Sequence, residues 1–495
     1  MITDITYKEH LTNQNTARVT EQSKLFAYYL NSETDIVTSL KTALQITFND
    51  STLEDFQMFW INIVTKAIDQ LSIVYRDPAT RQLIIDGEVK SEKVEGEEPK
   101  ASKGEILTEY FNSLLYAVNS SDNTALRYAK LANTSVTAVR FDRGKIKYKV
   151  LPTWLYNVKV SEHDPYKMEA ISYRTYYGDK VYHVVWTEKE HYMVEELNFN
   201  KITFAGDKET VPTMKDTKNP YGIIPYAVLR LKEQGDFHGN GQTDLVNGNE
   251  QINIIMTELM NEHILMGSAG MVFAVNCRLA TMGKDGKTID YSRAEVPIGR
   301  KRPLVLENVK PEDTPPSLDF VSTDPQTLEL RDTIDWSIKM FAMSKGLNPN
   351  SFLADVQATS GFSKLVDAME QMELRKDDIE PCRIYEDDRF EITRKVNNYH
   401  ANTTDGIKYG MQVIPDNAYM KVDFAEVSQP MTADEQQKDD DWNLKHNLIS
   451  VYDIARRQNP DLDDDELAES IAKNKAINDL YKVEPIINNQ NTKGA

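Results

Sequence analysis

The stretch Thr281-Met282-Gly283-Lys284-Asp285-Gly286-Lys287-Thr288 nearly matches a phosphate-cradling loop, in which glycines let backbone N–H groups close around a phosphate and a lysine reaches its outer oxygens. The match fails twice. Thr281 stands where the first glycine belongs, and Ile289 to Pro297 lacks the pattern of the helix whose N-terminal amides such a loop needs. The stretch therefore reads as a surface hairpin with Asp285-Gly286 at its turn. Asp461-Leu462-Asp463-Asp464-Asp465-Glu466 opens like a calcium loop, but Glu466 and Ala472 occupy the positions that need glycine and glutamate. Glu380, Glu386, Asp387 and Asp388 imitate a metal cluster and read as charged helix surface. His183 and His191 lack paired ligand spacing and read as sheet decoration. Cys277 and Cys382, the only cysteines, fit a reducing compartment, cannot alone make a structural zinc site, and read as small buried side chains. No nucleophile elbow, His-Glu-x-x-His helix or dinucleotide fingerprint occurs. The expectation is a protein with no catalytic residues, no metal site and no cofactor.

Two other groups point to interaction instead. Gly299-Arg300-Lys301-Arg302-Pro303 is the densest basic run in an acidic chain; it reads as a solvated turn or as a positive tip meeting phosphates or acidic partner surfaces. Gly346 to Ser360 is a polar loop that nevertheless contains Phe352, Leu353 and Val356 beside Asp355 and Gln357. A merely exposed loop seldom needs such apolar residues, so they dock either on their own chain or on a neighbour.

The elements that position these groups are two long helices. Thr243 to Met266 carries Ile252, Ile255 and Leu259 with Met256 and Met260, and Asp324 to Lys345 carries Leu330, Ile334, Ile338 and Phe341, each an apolar stripe at helical spacing. At the usual rise each spans about 30 to 36 Å. Packed together they form a rod holding a β-rich excursion, Gly270 to Phe320, at one end. Pro311, Pro315 and Pro316 stiffen the return, and Asp324 with Pro325 supplies the start of the second helix. A third helix starts near Gly361 with the stripe Phe362, Val366, Met369, Met372; Glu370, Glu373, Lys376, Asp377 and Asp378 form its solvated face, and Pro381 predicts a kink or break.

At 495 residues the chain is long enough for two to four modules, and 40% hydrophobic content with 24 Tyr and 16 Phe supplies real cores. No apolar run approaches the roughly 18 residues of a membrane span, and the first residues lack a secretory leader, so a cytoplasmic site of synthesis is expected. The net charge of -20 argues against a tight grip on nucleic acid, which needs Lys and Arg to displace counterions. A conduit that lets a polyanion slide is compatible with that charge, and so is simple solubility.

Along the chain, residues 1 to 50 read as helical. Ser51 with Glu54 forms a capping box before Phe56, Phe59, Trp60, Ile63, Ala67, Ile68 and Leu71, which predicts one helix ended by Asp77-Pro78. Leu83-Ile84-Ile85 is a strand, Gly87 to Lys103 a charged mobile loop, and Glu105 to Asn119 a helix. Val136 to Phe204 alternates as an antiparallel meander. Tyr409 to Val427 is strand-like, with Ile414-Pro415-Asp416 as a turn, and is expected to complete a sheet of the region 1–232. Thr432 with Glu435, Ser450 with Asp453, and Pro460-Asp461 open three helices, and residues beyond about 484 fray.

This order of helix, β-rich module, helix, loop and long helix follows an α+β region closing with Asn219-Pro220-Tyr221-Gly222-Ile223-Ile224-Pro225-Tyr226. It resembles the portal proteins of tailed bacteriophages, with Gly241-Gln242-Thr243-Asp244-Leu245 and Asn249-Glu250-Gln251-Ile252-Asn253 similar to the opening of the portal stem. The resemblance implies an α+β portal fold: wing at 1–232, stem helices at 233–269 and 323–345, clip at 270–322, channel loop at 346–360, long helix and return to the wing at 361–430, crown at 431–484, and a tail at 485–495. It implies a ring of about twelve copies at one capsid vertex, passing double-stranded DNA and meeting the terminase large subunit, capsid and scaffolding proteins and a head-to-tail connector. Phe352, Leu353, Asp355, Val356 and Gln357 would then face the channel, and Arg300, Lys301 and Arg302 would sit on the clip. Another phage connector or minor capsid protein, or a nucleotide-using hydrolase suggested by the near phosphate loop, remain the alternatives.

Overall fold

The computed structural model describes residues 16–46, 57–86, 102–178, 180–195, 218–268, 271–275, 277–282, 289–290, 304–308, 317–321, 327–352, 361–424, 433–459 and 464–480. The fold is α+β, in two compact units, Met1–Glu426 and Val427–Ala495.

The first unit opens with helices α1 (Thr16–Tyr29) and α2 (Glu33–Leu44), turned against each other by Asn31 in the left-handed region, φ 59°. Leu25, Phe26, Tyr28 and Ile36 bury against the short helix α3 (Val64–Leu71) through Val64, Ala67 and Ile68. Strand β1 (Thr80–Ile85) precedes α4 (Lys103–Leu114), whose start is fixed by a capping box in which Ser102 and Glu105 satisfy each other's backbone N–H groups. Then come β2 (Leu115–Tyr116), α5 (Val118–Ala132), β3 (Thr134–Asp142), β4 (Lys145–Leu151), β5 (Tyr156–Val160), β6 (Met168–Tyr177), β7 (Lys180–Thr187), β8 (His191–Glu195) and β9 (Tyr226–Arg230).

These strands form two sheets, ordered β2-β4-β3-β9 and β5-β6-β7-β8. Alternation along β3 explains the layering, because successive side chains point to opposite faces. Val136 and Ala138 pack with Tyr156, Ile171, Tyr173 and Val184 of the β5–β8 meander. Val139, on the other face, joins Ile146, Tyr148 and Leu229 against Ala125, Leu126 and Ala129 of α5.

Helix α6 (Thr243–Ser268) leads to β10 (Met271–Val275), β11 (Cys277–Met282), β12 (Ile289–Asp290), β13 (Leu304–Asn308) and β14 (Ser317–Val321), and α7 (Thr327–Ser344) returns. The β module contains a β10-β14 pair and a β12-β11-β13 sheet. Helix α8 (Gly361–Ala401) is continuous over 41 residues and contains Pro381, so the proline does not break it. Its Cys382, Tyr385 and Val396 lie in the same core as α5 and β3. After α9 (Thr404–Lys408), β15 (Ala418–Asp423) pairs antiparallel with β1, Leu83 opposite Met420.

The second unit is helical: α10 (Ala433–Lys445), α11 (Val451–Gln458) and α12 (Asp464–Leu480). Ser450 and Asp453 form the expected capping box of α11, and Arg457 pairs with Asp440 at 3.0 Å.

Several expectations need correction. Gln57 to Ile63 has no regular secondary structure, and the helix begins only at Val64, with Ile63 as its N-cap. Helix α5, with its buried face of Ala125, Leu126, Ala129 and Ala132, was not foreseen beyond Asn119. Asp378 and Glu386, assigned to solvated helix surface, are buried. The predicted loop at 87–103 and the tail beyond 484 lie largely outside the described residues.

Candidate functional site

The two long helices lie side by side over their joined base, from Gln242 to Ile252 on one and from Ile334 to Lys345 on the other. At the base Lys345 Nζ donates to Asp244 Oδ2 at 2.6 Å and to Gln242 Oε1 at 2.7 Å. Burial alone would raise the Asp244 carboxyl; the Lys345 bond and charge overcome that and hold it below the usual range. One turn up, the Phe341 ring covers Gly248 so closely that a Cβ there would lie 2.5 Å from it. Ile252 and Ile338 then bury together, with Ile334, Phe341 and Phe352 packed around them. Ile255 and Leu259 are half-buried. At the far end β10 and β14 continue the pair as an antiparallel ladder from Met271 opposite Val321 to Val275 opposite Ser317.

A second face of α6 performs a task that its apolar stripe conceals. Asn249, Asn253, Thr257 and Asn261, spaced by four and therefore stacked on one face, are all buried. They grip the extended Gln57–Ile63 segment by its backbone. Asn249 Oδ1 accepts from Ile63 N–H at 2.8 Å and its amide donates to Ile61 O at 2.9 Å. Asn253 Oδ1 accepts from Ile61 N–H at 3.0 Å. Thr257 Oγ1 accepts from Phe59 N–H at 3.3 Å and donates to Phe59 O at 2.8 Å. Asn261 closes the series on Gln57, accepting from N–H at 3.0 Å and donating to its carbonyl at 2.8 Å. Alternate residues of an extended chain present N–H and C=O to the same side, so a helix read every fourth residue matches a strand read every second.

The expected channel loop is described only at its root. Gly346 turns the chain at φ 65°, Leu347 is buried, and Pro349–Ser351 forms one 3-10 turn. Lys66 donates to Ser351 O and sits 5.3 Å from the Phe352 ring centre. Phe352 thus packs on its own chain, whereas Leu353, Asp355, Val356 and Gln357 lie outside the described residues. Lys66 and Gln70 also line a polar cleft of about 770 Å³ between α3 and α5, with Arg76 and Arg127. Arg300, Lys301 and Arg302 lie outside the described residues as well. The near phosphate loop is followed by strand β12, in which Ile289 pairs with Met282, and not by the helix that phosphate binding requires.

Among the described residues no group of three or more His, Cys, Asp or Glu is arranged to hold a metal, and no helix is long and apolar enough to cross a membrane. Glu386 belongs to a buried ion network. It accepts from Arg81 Nε at 3.0 Å, Arg389 at 2.6 Å and Tyr75 Oη at 2.9 Å, while Asp122 accepts from both arginines. Burial would raise the Glu386 carboxyl, but Arg389 and Arg81 hold it at about 2. Asp122 is raised, by burial first and by Glu386 as well, with Arg389 opposing. The network joins β1, α5 and α8. His191 stacks on Trp186 with ring centres 3.7 Å apart, and burial lowers its pKa.

No protein-family model matches the chain, and no curated protein matches it. Among solved structures, a chain from the neck of an empty GTA particle, computed with C6 symmetry, aligns over 80% of this chain and 89% of its own, with a TM-score of 0.34 and 12% identity. That likeness is too distant to carry an argument about function.

Proposed function

We propose that this chain is a non-enzymatic, ring-forming portal subunit of a tailed-phage particle. The observation that carries the reading is the α6–α7 pair, joined at one end by Lys345 and Asp244 and continued at the other by the β10–β14 ladder. Such a pair is a rod with a small β head. Copies that meet head to tail around an axis close into a ring and leave a pore between rods. In this reading residues 346–360 face the pore and 270–322 form the outer tip. The ring, of about twelve copies, sits at one capsid vertex as part of the virion. Double-stranded DNA passes through it during packaging and ejection, and the terminase large subunit, capsid and scaffolding proteins and a head-to-tail connector dock on it.

The test is the state of the purified full chain by light scattering and negative-stain microscopy. Rings with a central hole are expected. A monomer at all concentrations and salts overturns the reading. Within rings, deleting Leu353 to Gln357 while keeping the anchored Phe352 should spare assembly and abolish packaging or retention of DNA; unimpaired packaging removes the loop from the pore.

A further inference from the structure

One sheet face is basic in an otherwise acidic chain. Between residues 140 and 149 stand five cations, Arg140, Arg143, Lys145, Lys147 and Lys149, against one carboxylate, Asp142, while the whole chain carries a net charge of -20. Pairing register gathers them. Alternate residues of a strand share a face, so Lys145, Lys147 and Lys149 form one exposed row along β4. Arg140 and Asp142 of β3 stand opposite Lys147 and Lys145 on that face. On the other side of Lys147 comes Tyr116 of β2, which is 58% exposed, with Lys147 Nζ 5.2 Å from its ring centre. Neighbouring strands lie about 4.8 Å apart. Tyr116, Lys147 and Arg140 therefore make a band across the sheet.

The band leads to a cavity of about 400 Å³, in which Arg140 is the one side chain with a full charge among the described lining residues. The other walls are largely aromatic. Trp186 and Tyr221 stand 12° from parallel with ring centres 6.1 Å apart, and Tyr173 meets Tyr226 edge to face at 6.2 Å. His191, stacked on Trp186, is kept neutral by burial. Arg140 donates to Tyr173 Oη at 2.9 Å and Tyr226 Oη donates to the same oxygen at 3.1 Å, which leaves the Tyr173 proton to donate to an incoming group.

Aromatic walls with one cation fit a planar ring joined to an anion, and the volume is that of a small-ligand site. An acidic peptide would satisfy the lysines but bring no ring for the cavity. A duplex keeps its bases stacked inside. A single strand supplies both parts, because every base has a π-face and every link a phosphate.

We infer that the cavity and the band together bind single-stranded nucleic acid, with one base entering beside Trp186 and Tyr221, its phosphate on Arg140 and Tyr173, and the neighbouring phosphate and base on Lys147 and Tyr116. The site lies within one subunit and does not depend on the ring reading. Because the rest of the chain repels phosphate, binding is local and falls steeply with salt.

The test is fluorescence anisotropy of short labelled dT and rU strands with the full chain at low salt, competed by the matching duplex and by poly-glutamate. Binding of either strand supports the site, and the tighter one names the sugar it takes; the duplex should compete at least tenfold less well, and poly-glutamate not at all. Lys147→Gln and Tyr116→Ala alter exposed side chains and should keep the melting temperature. The first should lower the slope of log affinity against log salt by about 0.7, and the second should weaken binding about fivefold or more. A strand carrying 5-iodouracil should photo-crosslink to Trp186 or Tyr221. No binding at low salt, equal competition by poly-glutamate, or crosslinks confined to residues 299–303 or 346–360 would each overturn the inference, and none of these outcomes bears on whether the chain forms rings.

Discussion

Two regions of this molecule bury polar groups by opposite means. Around Glu386 the solution is charge: two carboxylates and two guanidiniums, all buried, bind β1, α5 and α8 to one another. Along α6 the solution is neutral: three asparagines and a threonine bind a length of backbone. Both tie together residues far apart in the chain. The difference lies in what each loses when disturbed. Removing one member of a buried ion cluster strands the others as uncompensated charges, whereas removing one rung of an amide ladder strands at most one neutral N–H and one C=O.

That contrast sets the order of expected effects. Glu386→Ala leaves Arg81 and Arg389 sharing Asp122 alone and should cost about 3–5 kcal/mol in chemical denaturation, enough to threaten folding. Asn253→Leu deprives Ile61 N–H of its acceptor and should cost about 1–3 kcal/mol. Acid separates the two further. Glu386 is held at about 2, below the roughly 4.3 of a free glutamate, so its stabilisation is complete above the free value and is lost as pH falls toward the folded one. The melting-temperature gap between wild type and Glu386→Gln should therefore narrow from pH 6 to pH 3, while the gap for Asn253→Leu stays flat. A gap that widens in acid would mean that Asp122, whose raised pKa works the other way, governs the cluster. Smallest is Gly248→Ala: overpacking against Phe341 costs about 1–3 kcal/mol and helix propensity returns up to about 1 kcal/mol, leaving a modest net loss by thermal melting.

The sequence made one of these regions partly legible and hid the other. The stripes Ile252, Ile255, Leu259 and Ile334, Ile338, Phe341 announce two helices because periodicity is a local signal. The ladder was visible in principle: Asn249, Asn253, Thr257 and Asn261 sit at strict spacing of four in a helix otherwise rich in isoleucine and methionine. Neutral polar side chains carry no periodic apolar signal, so the stripe alone marks a packing face. Apolar spacing alone misread Phe56, Phe59, Trp60 and Ile63 as a helix; the spacing fits, but buried amides on α6 outbid local hydrogen bonding from Gln57 to Ile63. Helix α5 went unseen because its buried face is small, three alanines around Leu126, and its one buried charge, Asp122, reads as surface. Glu386 reads as surface for a related reason. Arg389, three residues on, looks like an ordinary surface helix pair, whereas Arg81 and the Asp122 that shares both arginines lie hundreds of residues away.

The match between α6 and its extended partner also limits itself. Four residues of helix rise about 6.0 Å, and two residues of strand about 6.6 to 6.8 Å. Each rung therefore slips by about 0.6 to 0.8 Å, and each fourth helical residue turns about 40° around the axis. After three steps the two scales disagree by roughly 2 Å and 120°, close to what flexible amide side chains can absorb. The two scales work as a vernier, coinciding over a short window and drifting apart outside it. Lengthening the contact would take a bent helix rather than another asparagine.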